Sequence, residues 1–249
     1  MKIYLNSTSN LGDFLNALPV LSGIHKEWAR KEEIHFLMKP EMKKFKGIKE
    51  FLMYQNIFHK VDFIDDIFVY GDVIELSSWT REDRNDPNRP IETCRYENWL
   101  RDKYDKLTFE VDDNFLLSID PFLKEPLVDV SRPYVGDRWN GPGIDGRRAS
   151  WTLSHLANVN FLDYNRTVME NAFCIWMSPR PFITTFTGAS SLADLMGKKQ
   201  VVLWGEDIRD WDNKPIEYSF EKHFYKNRNS KLMYIGDFEV EKLDEYFTV

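Results

Sequence analysis

Lys2-Ile3-Tyr4-Leu5-Asn6-Ser7-Thr8-Ser9-Asn10-Leu11-Gly12-Asp13-Phe14-Leu15-Asn16-Ala17-Leu18-Pro19-Val20-Leu21 is the stretch from which the fold can be read. Ile3 and Leu5 lie in a β-prone run, and Ser7 to Gly12 supply turn chemistry. From Asp13 onward, Phe14, Ala17, Leu18, Leu21, Ile24 and Trp28 recur at helical spacing. The pattern predicts a strand, a polar loop ending in Gly12-Asp13, and one amphipathic helix from Asp13 to Trp28. Asp13 then falls near a helix N-terminus at the carboxyl end of the first strand. In open α/β sheets ligands bind at that edge, and a carboxylate there can face a substrate. Helix capping is the plainer use of the same residue, because Asp is a favoured cap.

Outward from this stretch the first half keeps alternating. Ile34 to Met38 reads as a strand and Glu41 to Tyr54 as a helix; Val61 to Val69 and Val73 to Leu76 read as strands, and Thr93 to Tyr104 as a helix. Such alternation predicts a parallel, doubly wound sheet. Arg81 to Pro90 is a charged, proline-bearing loop, suited to a surface connection or to an active-site loop. Pro121, Pro126 and Pro133 punctuate the middle of the chain, which places a domain boundary there and predicts domains of 1–125 and 126–249.

Beyond the boundary, Tyr134-Val135-Gly136 reads as the tail of a strand, followed by a loop with Gly141, Pro142, Gly143 and Gly146. Helical patterns cover Ala149 to Ala157 and Arg166 to Met177, and a final amphipathic helix covers Val240 to Phe247. The second informative segment is Pro181-Phe-Ile-Thr-Thr-Phe-Thr-Gly-Ala-Ser-Ser-Leu-Ala-Asp-Leu-Met-Gly-Lys-Lys-Gln-Val-Val-Leu-Trp-Gly205. It reads as a buried strand, a tight Thr187-Gly188 turn, a helix from Ala189 to Met196, and a strand from Gln200 to Trp204. The start of such a helix presents free N–H groups and a positive dipole end to an anion such as a diphosphate. Gly188 lets the backbone approach closely, and Thr187 and Ser190 can donate hydroxyl hydrogen bonds. Arg132, Arg138, Arg147 and Arg148 fall in one glycine-bearing loop. The planar guanidinium binds phosphate oxygens bidentately, although Asp137 and Asp145 could instead pair with these arginines.

The opening stretch resembles the start of the ADP-heptose:lipopolysaccharide heptosyltransferase family, inverting glycosyltransferases of the GT-B fold. The shared order is Ser7-Thr8-Ser9, Gly12-Asp13 and Leu18-Pro19-Val20-Leu21. The segment from Pro181 is similar to the family's donor-site run, with Thr187-Gly188, Leu192-Ala193, Gly197 and Gly205 in register. The family aspartate is Phe186 here, and the family histidine is Ser191. The resemblance implies an α/β, GT-B-like architecture of two Rossmann-like domains with a ligand cleft between them. It implies sugar transfer from a nucleotide-sugar to a glycan or other hydroxyl acceptor, with inversion. Asp13 would be the general base. Gly12, Arg138, Arg147, Arg148, Thr187, Gly188, Ser190 and Ser191 would hold the donor. Arg148 followed by Trp151 fits the family's basic residue before a tryptophan. No metal or other cofactor is implied, and the sequence has no Asp-x-Asp metal motif. Two alternatives stay open: a nucleotide or nucleotide-sugar binding protein without turnover, and a glycosyltransferase acting on DNA bases.

Bulk properties bound these readings. A 43% hydrophobic content with 15% aromatics suffices for packed cores. No run of apolar sequence is long enough to span a bilayer. The N-terminus lacks the basic-then-apolar layout of a secretory signal. Cys94 and Cys174 have no metal-like spacing and read as reduced thiols of a cytoplasmic protein. Residues 1–125 hold 18 Lys and Arg against 23 Asp and Glu, which argues against a duplex-binding surface. The five histidines have no ligand spacing, and Walker A, Gly-x-Gly-x-x-Gly and Gly-x-Ser-x-Gly motifs are absent. Asp62, Asp65 and Asp66 read as a solvated turn or a cation site. Trp79, Trp139 and Trp151 are candidates to stack a sugar or base, or simply core residues.

Overall fold

Short apolar strands flanked by helices build two all-parallel sheets. The computed structural model describes residues 1–6, 10–78, 86–123, 129, 131–136, 153–185, 187–204, 224–225 and 229–248. These form two compact units, Met1–Ser118 with Thr167–Met169, and Ile119–Arg166 with Glu170–Val249. The α/β class expected from the alternation is what is found.

In the first unit, β1 (Lys2–Leu5), β2 (His35–Met38), β3 (Lys60–Phe63) and β4 (Ile74–Leu76) lie in the order β3-β2-β1-β4. Register places Ile3 beside Phe36 and Ile74, and Phe36 beside Val61, on one face. Phe14 packs on that face with its ring 6.0 Å from Phe36, which stacks on Phe58 at 4.7 Å. The helix expected from Asp13 to Trp28 is two helices, α1 (Leu11–Leu15) and α2 (Leu18–Trp28). Pro19 explains the break: it has no N–H for the Leu15 carbonyl but is tolerated in a first helical turn. Leu18, Val20, Leu21 and Ile24 of α2 are at most 1% exposed. Burial of each contributes about 2 kcal/mol.

Three other expectations in this unit are corrected. The helix expected from Glu41 is a 3-10 turn, Pro40–Lys44, followed by α3 (Ile48–Tyr54). Gly47 interrupts it with φ of 70°, and a Cβ there would lie 2.8 Å from that of Thr167. The strand expected over Val61 to Val69 stops at Phe63, where Asp65 and Asp66 turn the chain and Lys43 bonds both at 2.9 and 2.7 Å. Helix α4 (Ile91–Lys103) starts two residues before its expected Thr93 and ends one before Tyr104. Arg89, from the charged loop, clamps Asp113 at 2.6 Å and Glu97 at 2.9 Å, a structural use.

In the second unit, β5 (Tyr134–Gly136), β6 (Asn160–Phe161), β7 (Phe182–Thr184), β8 (Gln200–Trp204) and β9 (Ser230–Tyr234) lie in the order β6-β5-β7-β8-β9. Helices α5 (Val168–Met177) and α6 (Gly188–Leu195) form near their expected positions. Val135, Ile183, Val201 and Leu203 join Val240 and Leu243 in one apolar cluster, so the C-terminal segment covers this face. That segment is two 3-10 turns, Val240–Lys242 and Glu245–Phe247, not the expected amphipathic helix. Arg180 ties it down by bonding Asp244 and the Val240 carbonyl at 3.0 and 3.2 Å. Of the helix expected over Ala149 to Ala157, the described part is a 3-10 turn, Leu153–His155, which the chain leaves through Asn158 at φ of 57°.

Candidate functional site

The strand orders single out one crevice in each sheet. Where neighbouring connections run in opposite directions, the loops diverge outside the carboxyl ends of the strands and leave room for a ligand. In the first sheet that point is between β1 and β4. The Asn6 N–H donates to the Leu76 carbonyl at 2.9 Å and ties those two strand ends together. The chain re-emerges at Asn10, the N-cap of α1, whose carbonyl accepts from the Phe14 N–H at 3.1 Å. Gly12 and Asp13 form the first turn above buried Leu11, Phe14 and Leu15. Asp13 is half-buried, and the cap position is taken by Asn10 rather than by Asp13. Ser7, Thr8 and Ser9 lie outside the described residues.

In the second sheet the reversal lies between β5 and β7. Gly136 ends β5, and the Thr184 hydroxyl donates to its carbonyl at 2.8 Å. A Cβ at Gly136 would come within 2.9 Å of the Ala189 Cβ and 2.6 Å of the Phe182 ring, so glycine lets α6 start against the strand end. Thr187 is the N-cap of α6 in extended backbone. Its N–H donates to Ser190 Oγ at 3.3 Å, and that hydroxyl donates to the Thr187 carbonyl at 2.5 Å. Ser190 is thus buried and spent on the turn, with its carbonyl accepting from Gln200 Nε2 at 3.0 Å. Thr187 Oγ1 is buried without a hydrogen-bond partner among the described residues. Gly188 and Ser191 are half-buried in the first turn of α6.

Asp13 and Gly12 thus sit at one reversal point, and Thr187, Gly188, Ser190 and Ser191 at the other. The chain enters the arginine-bearing loop from Gly136, at the second reversal. Arg138, Arg147, Arg148, Phe186, Trp79, Trp139 and Trp151 lie outside the described residues. Arg132 pairs with Asp129 at 3.0 Å on the surface. In the aspartate group whose sequence suits a turn or a cation site, Asp62 is engaged by side chains and meets Lys49, Lys60 and His35 at 2.6, 2.9 and 3.0 Å. Among the described residues no group of His, Cys, Asp or Glu is arranged to hold a metal ion. A feature the motif reading missed is the aromatic pair of Trp204 and Tyr234, with ring centroids 5.1 Å apart at the carboxyl ends of β8 and β9. The sequence offered no signal for it, because the strand Ser230–Tyr234 carries no motif.

No protein-family model and no curated protein sequence matches the chain. Solved structures do. A family 9 glycosyl transferase from Veillonella parvula superposes with a TM-score of 0.57 at 11% identity, covering 100% of this chain and 89% of that one. Escherichia coli heptosyltransferase WaaC, solved with ADP, gives 0.56 at 11% identity, covering 99% and 98%. Escherichia coli ADP-heptose lipopolysaccharide heptosyltransferase II gives 0.54 at 10% identity, covering 99% and 97%. The likeness runs the length of the chain at an identity too low to carry residues across, and what it establishes is the architecture: this is an α/β chain with the GT-B-type fold of the heptosyltransferases.

Proposed function

We propose that this protein transfers a glycosyl group from a nucleotide-diphosphate sugar to an acceptor hydroxyl with inversion, Asp13 acting as general base. The observation that carries the reading is topological. The two segments that resemble heptosyltransferase motifs are far apart in sequence, Asp13 and Thr187 being separated by 174 positions, yet each sits at the reversal point of its own parallel sheet. Loop geometry in such folds makes those points the ligand crevices. A structural neighbour holding ADP supports a nucleotide as the ligand class.

In the step itself, Asp13 accepts the acceptor's hydroxyl proton as that oxygen attacks the anomeric carbon. The bond from that carbon to the diphosphate oxygen breaks, and the diphosphate leaves with the electron pair. The growing charge is met by the start of α6 at Thr187 and Gly188, and by the guanidinium groups of Arg148, Arg147 and Arg138. An Asp13→Asn variant is expected to keep thermal stabilisation by the donor nucleotide and to lose at least about a hundredfold in transfer rate. Full transfer activity in that variant would refute the role.

A second reading has its own observation. Phe186 and Ser191 stand where the resembling family has Asp and His, which favours a protein that binds a nucleotide-sugar without turning it over. Donor-induced stabilisation with no product across a panel of hydroxyl acceptors would select it.

A further inference from the structure

We propose that Trp204 and Tyr234 form the platform on which the nucleobase of the bound nucleotide stacks; this rests on the nucleotide-binding reading of the second unit. Register makes the two residues direct partners on adjacent parallel strands, so their side chains leave the same face of the sheet. Gln200 lies on that face too, and its side-chain amide donates to the Ser190 carbonyl of α6. The face is therefore the one that α6 covers, opposite the apolar cluster around Val201 and Leu203.

Both rings also stand at the end of the sheet where α6 begins. Strands in a sheet are about 4.8 Å apart, so β8 and β9 place the rings roughly 5 to 10 Å along the edge from the end of β7. A nucleotide whose phosphates met Thr187 and Gly188 would carry its base over this pair. The rings are half-buried, and neither belongs to the apolar core cluster of the unit. Their ring centroids lie 5.1 Å apart and their planes are tilted by 60°, so the two rings form one aromatic pair at the strand ends. Gly236 leaves room for the Tyr234 ring, because a Cβ there would lie 2.6 Å from it.

Binding of ADP, UDP and inorganic pyrophosphate to the full chain, measured by calorimetry for wild type, Trp204→Ala, Trp204→Phe and Tyr234→Ala, tests this. The expected result is that ADP and UDP bind more tightly than pyrophosphate. Trp204→Ala and Tyr234→Ala each weaken the nucleotides about tenfold or more, as loss of one stacking partner does. Trp204→Phe stays within about threefold, and pyrophosphate affinity does not move. Thermal melting of each variant confirms that it is folded. Nucleotide affinity unchanged in both alanine variants overturns the platform while leaving nucleotide binding intact. An equal loss for pyrophosphate overturns it as well, since the rings would then be supporting α6 rather than a base. Failure of wild type to bind ADP or UDP overturns the nucleotide reading and the platform with it.

Discussion

Asp62 is 6% exposed and faces three cationic or protonatable partners, Lys49, Lys60 and His35. Burial alone would raise its pKa, but hydrogen bonds from the two ammonium groups and the histidine override that and hold it at about 2. Its folded pKa is below the unfolded value, so its contribution is complete above about pH 4 and is lost as pH falls toward 2. Linkage puts that contribution at roughly 2 kcal/mol. Asp62→Asn is expected to lower stability by about 2 kcal/mol at pH 7. The difference from wild type should shrink as urea titrations approach pH 2. An undiminished gap at low pH would mean that packing, not charge, keeps the aspartate. Asp13 differs in its setting: it is half-buried in the first turn of α1, where the N-cap position belongs to Asn10.

At the scale of elements, α2 shows how tertiary contact reverses an intrinsic preference. Glycine inside a helix ordinarily costs about 1 kcal/mol relative to alanine. Gly23 lies in the middle of α2, but a Cβ there would overlap the backbone carbonyl of Glu110, which crosses the helix. Nearby, Trp28 Nε1 donates to the Thr108 carbonyl at 2.7 Å, fastening the same crossing segment. Gly23→Ala should therefore destabilise the protein by about 2 to 3 kcal/mol instead of stabilising it. Chemical denaturation checks the sign, and a more stable variant would show that the 107–111 segment yields easily. The C-terminal segment carries a different lesson. Val240, Leu243 and Tyr246 are spaced by three, which suits a 3-10 turn as well as one face of an α-helix. The core cluster and the Arg180 clasp decide for the turns.

At the scale of the molecule, the two units differ in how acid should act on them. His25 and His35 both belong to the first unit. Burial lowers the pKa of each below 6.5, with the Ile57 carbonyl opposing for His25 and Asp62 opposing for His35. As pH falls through 6.5 the unfolded chain takes up protons that these folded sites resist, so stability declines on the acid side. Calorimetry is expected to resolve two transitions. Only the first unit's transition should move down between pH 7 and pH 5, and His25→Gln should blunt that movement. A shift of equal size in both transitions would place the acid response elsewhere. Among the described residues no helix is long and apolar enough to cross a membrane.

Local sequence determined most of the elements in this protein. The strand-loop-Asp13 opening, the Thr187-Gly188 helix start and the strand from Gln200 to Trp204 follow from residue spacing and turn chemistry, both of which act over a few neighbours. Tertiary structure decided what those elements amount to. The strand orders that set Asp13 and Thr187 at reversal points depend on pairing between residues far apart in the chain. The Trp204–Tyr234 pair exists only because β9 joins β8 in a particular register. The turns at the C-terminus follow from a cluster assembled across the second unit. Periodicity reports which face of an element is apolar, but not what that face meets, and it is the meeting of faces that makes a site.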